Sequence, residues 1–97
     1  MDKLNRTFIG TGDVGGFEFT LEAESPFAYM FRVDTGISTH YEVFMKKTVK
    51  KAIDWENRIF SDEDKEIYPK SKDFGFWAWT YPDKVTATIK FFAISTP

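Results

Sequence analysis

Polar and apolar residues alternate without exception through residues 17–24. Phe17, Phe19, Leu21 and Ala23 point one way, and Glu18, Thr20, Glu22 and Glu24 the other. A strand sends successive side chains to opposite faces, so this run predicts a half-buried strand. Ser25-Pro26 interrupts it, because proline fixes φ and lacks the amide that a ladder needs. Alternation resumes over 27–34, with Phe27, Tyr29, Phe31 and Val33 inward and Arg32 and Asp34 outward, then stops at the turn signal Asp34-Thr35-Gly36. A third run sets Ile37, Thr39, Tyr41, Val43 and Met45 against Ser38, His40, Glu42 and Lys46, with Phe44 alone breaking the polar side. Three consecutive strands with short turns predict an antiparallel meander with one wet face. Residues 5–9 supply a further edge strand, joined to the first long one through the glycine-rich stretch Gly10–Gly16.

Residues 47–73 carry a weaker pattern. Val49, Ala52, Ile53 and Phe60 permit a helical stripe, yet the strand ending near Met45 can equally run on. The expectation here is extended structure, followed by a polar loop holding Asp62, Glu63, Asp64 and Glu66. Tyr68-Pro69 marks a break, since a residue before proline is pushed out of the α region. Residues 74–81 then read as a strand crowded with rings, with Phe76 and Ala78 on one face and Trp77, Trp79 and Tyr81 on the other. Thr80 as cap, Pro82 in the first turn and Asp83 at the positive end predict a helix start. Val85, Ile89 and Phe92 recur at i, i+4 and i+7, the stripe expected of a helix lying on a sheet. The predicted fold is therefore α+β: one domain over 1–97, an antiparallel β-meander of four to five strands with one C-terminal helix packed on the sheet.

Composition sharpens this in three ways. The 97 residues suit a single core. Aromatic residues make up 19% of the chain, and large rings bury much apolar area for each residue ordered. The chain has no cysteine, which excludes disulfides and thiolate-bound metal. Residues 1–6 show no apolar run of a signal peptide and no apolar stretch is long enough to span a bilayer, so a cytoplasmic location without membrane contact is expected. The net charge of −2 disfavours a nucleic-acid partner. Lys46, Lys47, Lys50 and Lys51, like the acidic cluster at 62–66, read as solvated faces.

The candidate chemistry is sparse. Gly10-Thr-Gly-Asp-Val-Gly15 matches G-x-G-x-x-G in form, but a strand follows it where a dinucleotide site needs a helix. It reads as a hairpin connection. His40 is the only histidine, and Glu42 lies two residues on, on the same face, where it could polarise the imidazole for hydrolysis. No third residue completes a catalytic group, and no metal or cofactor is expected. Phe74, Trp77, Trp79 and Tyr81 are the candidate binding residues, because rings anchor the centres of protein interfaces. That pattern points to a non-catalytic module binding a protein partner or a second copy of itself. Bases stacked on an aromatic sheet face are the alternative.

Tyr41-Glu-Val-Phe44, Tyr68-Pro-Lys-Ser-Lys-Asp-Phe-Gly75 and Trp77-Ala-Trp-Thr-Tyr-Pro82 resemble stretches in a group of small uncharacterised accessory proteins of anaerobic gut bacteria and their phages. The resemblance implies a phage or mobile-element accessory protein that binds and inhibits a host protein. It carries no functional residue across.

Overall fold

The strict alternation at 17–24 produces the second strand of a five-stranded antiparallel sheet. In a computed structural model, which describes residues 2–96 (backbone only at Asp13), the elements are β1 (Thr7–Ile9), β2 (Glu18–Glu24), β3 (Ala28–Asp34), β4 (Thr39–Met45), β5 (Thr48–Asp54), β6 (Ile59–Glu66), β7 (Ala78–Tyr81) and the helix α1 (Lys84–Ser95). The sheet runs in the order β1-β2-β3-β4-β7, and β5 and β6 form a separate hairpin. One helix on an antiparallel sheet is the predicted α+β class.

Both faces of the sheet carry apolar packing, so the predicted wet face survives only in part: Glu18 is exposed there and Arg32 pairs with Asp34. On one lie Phe19, Tyr29, Phe31, Val33, Phe44 and Ala78, with Phe8, Tyr68, Phe74 and Trp77 packed over them. On the other lie Ala28, Met30 and Val43, beneath Ala87 and Phe91 of α1. Register makes the assignment of β4 plain. Val33 sits opposite His40, Phe31 opposite Glu42 and Tyr29 opposite Phe44, so the side of β4 expected to be polar is the aromatic side. Tyr41 and Val43 turn toward the helix instead. Phe27, expected inward, precedes the strand and is exposed.

A bulge in β2 adjusts the two faces. Leu21 pairs with Phe31 and Ala23 with Met30, which leaves Glu22 as an extra residue. Leu21 therefore joins the aromatic side and Ala23 the helix side. Glu22 accepts from Arg32 Nη1 at 2.9 Å, and its other oxygen lies 3.3 Å from Lys84 Nζ at the helix start.

The helix lies the opposite way round from its apolar stripe. Val85, Ile89 and Phe92 are 72%, 67% and 65% exposed, while Ala87 and Phe91 are buried. Ala87 is two residues on from Val85, a rotation of about 200° at 3.6 residues per turn. A small side chain lets the helix backbone approach Val43 and Ala28 closely, which a valine or isoleucine there would prevent. The cap also differs. Thr80 is inside β7, and Asp83 is the N-cap, its carboxylate accepting the Thr86 N–H at 2.8 Å. That backbone donor holds the Asp83 carboxyl below the usual carboxylate range. Asp83→Ala should cost about 1 kcal/mol, read from the midpoint of urea unfolding, and Asp83→Ser should restore most of it.

Residues 47–67 are extended, as expected, but the acidic cluster is not in a loop. Asp62, Glu63, Asp64 and Glu66 lie in β6. The turn between β5 and β6 closes through Asp54, whose carboxylate accepts Asn57 N–H and Nδ2–H, with Arg58 left-handed at φ 52°.

Candidate functional site

Alternation across 74–81 holds only from Ala78, where β7 begins. Gly75, at φ 94°, turns the chain just before it, and residues 75–77 belong to that turn. The three residues expected on one face are therefore divided. Trp77 packs on the aromatic side, edge-on to Phe44 with centroids 6.3 Å apart. Trp79 lies opposite Val43 on the helix side, with Lys90 Nζ 3.9 Å from its ring centroid. Tyr81 joins Tyr41 beneath α1, and Phe74 joins the aromatic side. All four candidates are half-buried in the chain's own packing. Phe76, expected to share a face with Ala78, instead points out of the turn and is 81% exposed.

His40 and Glu42 do come together. His40 Nε2 is 2.9 Å from Glu42 Oε2, and Tyr68 donates its hydroxyl to Glu42 Oε1 at 2.6 Å. Tyr68 is the hub of the aromatic side, edge-on to Phe8, Phe19, Phe31 and Phe44. Burial, and then the Glu42 carboxylate, raise its pKa far above that of a free phenol. Both oxygens of Glu42 are thus engaged from within the chain. Among the described residues no hydrogen bond joins His40 to a serine, threonine or lysine. The arrangement orients an imidazole.

The larger concave surface lies elsewhere, between the β5–β6 hairpin and the segment 67–77. It is an open groove of about 970 Å³. Trp55, Phe60, Tyr68 and Trp77 supply its rings, and Lys47, Lys50, Lys65, Lys70 and Lys72 its cations. Lys47 Nζ stands 5.1 Å from the Trp77 ring centroid, and Trp55 meets Phe60 edge-on at 6.0 Å. Lys50 pairs with Asp64 at 2.9 Å. Among the described residues Lys47, Lys65, Lys70 and Lys72 have no carboxylate oxygen within 4.0 Å. The groove's own carboxylates are taken. Glu66 accepts from Tyr29 and from the Leu4 N–H, and Asp73 accepts the Lys70 N–H at 2.9 Å, which holds its carboxyl below the usual range. The buried Trp77 indole N–H makes no hydrogen bond among the described residues, although it lies near enough to Asp73 to help lower that carboxyl.

Sequence reasoning missed this groove. Its lysines come from three separate stretches, and Trp55 falls in a segment that reads as polar. The available signal was a lone tryptophan between Ile53 and Ile59, where a solvated turn needs no such residue.

No family model, curated protein or solved structure matches the chain. Among the described residues no three or more His, Asp or Glu side chains are grouped to hold a metal ion, and no helix is long and apolar enough to cross a membrane.

Proposed function

We propose that this chain is a small cytoplasmic, non-catalytic module that binds a protein, using the β5–β6 hairpin and the groove behind it as its docking surface. The observation that carries this is the hairpin's exposed apolar surface. Ile53 and Trp55 are 69% and 70% exposed, with Ile59 and Phe60 exposed beside them. Two-stranded ribbons are marginal alone in water, and this one leaves its largest side chains uncovered. Tryptophan and phenylalanine at such a place are what an interface centre needs. The groove adds Trp77 from the original candidates. The outward stripe Val85, Ile89 and Phe92 is a second surface of the same kind, suited to a second copy of the chain. If the resemblance to phage and gut-bacterial accessory proteins holds, the partner is a host protein and the outcome is inhibition.

A nucleic-acid ligand is the second reading. The lysine rim beside aromatic rings favours it, because that combination also suits single strands.

Replacing both Trp55 and Phe60 by alanine should weaken capture of the host partner by about 2 kcal/mol or more, roughly thirtyfold. The urea midpoint should stay unchanged, since neither ring enters the core. Binding undiminished in the double variant would reject the hairpin as the docking element.

A further inference from the structure

We infer that the groove between the hairpin and segment 67–77 receives an extended acidic segment of a partner protein. The inference rests on the proposed docking role of the hairpin and adds the chemistry of what docks. The chain as a whole carries −2, yet its groove is lined by five lysines, and its two carboxylates are already hydrogen-bonded within the chain. With five lysines against two carboxylates, positive charge is concentrated at a large concavity of a negative molecule. An open groove beside low-dielectric rings focuses that field onto an anionic ligand.

Two features favour a peptide over a nucleic-acid strand. The groove cations are all lysines, whereas the planar fork that grips phosphate in two places belongs to arginine. The ring faces are also partly taken: Lys47 covers Trp77, and Trp55 and Phe60 meet edge-on. A stacking platform needs such faces open. The segment is extended because β5 is bonded to β6 alone, so its outer backbone groups remain open to a further strand. Glutamates would then meet the lysine rim while alternate apolar side chains meet Trp55 and Phe60.

The test is a fluorescence titration of the whole chain with a synthetic peptide of about ten residues alternating glutamate and leucine. Its counterpart alternating lysine and leucine and an oligothymidylate serve as the other arms. The acidic peptide should quench tryptophan emission, with affinity falling as salt is raised through the physiological range. The Lys47→Glu/Lys72→Glu variant should bind it at least about tenfold more weakly, with an unchanged far-ultraviolet spectrum. Lys65→Glu/Lys70→Glu should repeat the loss independently. Equal binding of the two peptides, or retention of affinity by both charge-reversed variants, overturns the inference. So does tighter binding of oligothymidylate, which would assign the groove to nucleic acid. Equal binding of both peptides, lost in the Trp55→Ala/Phe60→Ala variant and kept in the charge-reversed ones, would reject the acidic segment and leave the hairpin as docking element.

Discussion

Phe31→Ala is expected to remove about 3–5 kcal/mol of folding stability, the largest loss from any single ring in the chain. Phe31 lies on β3, the middle strand of five, and is fully buried. Its ring stacks on Phe44 with centroids 5.9 Å apart, is tilted against Phe8 and Tyr29, and takes the edge of Tyr68 at 5.4 Å. Truncation opens a cavity walled by rings that are themselves fixed, so collapse can recover little. A domain of ordinary stability has about 5–15 kcal/mol in all, so the variant should unfold at far lower urea. Val85→Ala on the outward helix stripe should shift the midpoint by no more than about 0.5 kcal/mol. A Phe31→Ala loss below about 1.5 kcal/mol would show that the aromatic side is not the principal core.

The fold class was legible because β2 alternates strictly, β3 and β4 alternate with few breaks, and strong turn residues divide them. Their faces were harder to read. Alternation states that two faces differ, and one wet face is the default inference for an antiparallel sheet. Here the coil from Tyr68 to Trp77 covers one side and α1 the other, so His40 and Glu42 can share a face with Phe44. Glu42 sits there because Tyr68 supplies a hydrogen bond to it. The helix misled for a related reason. The strongest apolar periodicity marks where a helix is most hydrophobic, whereas close packing on a sheet selects small residues such as Ala87. The run 74–81 misled because parity counts only within a strand, and Gly75 delays the strand to Ala78. The groove was illegible for the simplest reason, since it is assembled from residues 47 to 77 by a hairpin whose placement no local pattern encodes.

That placement depends on one buried carboxylate, and its removal should be the second largest loss. Glu66, at the end of β6, is 6% exposed. Its Oε1 accepts the Tyr29 hydroxyl and the Leu4 N–H, and its backbone N–H donates to the Asp2 carbonyl at 2.7 Å. Asp2 also bridges Lys65 in parallel, so the N-terminal segment, the hairpin base and the central strand meet at this side chain. Glu66→Ala would leave the hydroxyl and the amide without an acceptor at about 1–3 kcal/mol each, a total of about 2–6 kcal/mol. Glu66→Gln keeps an oxygen in place and should lose less, and Tyr29→Phe combined with Glu66→Ala should lose less than the two single losses added. The site also sets the alkaline limit. Burial first, and Glu66 second, raise the Tyr29 pKa well above that of a free phenol, and Tyr68 is raised in the same direction. The folded phenols keep their protons at a pH where the unfolded ones release them. Their contribution is therefore fully present below the free-phenol value of about 10 and is lost as pH climbs past it. Urea unfolding in steps above pH 10 should show stability falling in the wild type, and falling less steeply in Tyr29→Phe. A Glu66→Gln variant as unstable as Glu66→Ala would mean that the charge itself, and not the acceptor oxygen, holds the hairpin to the sheet.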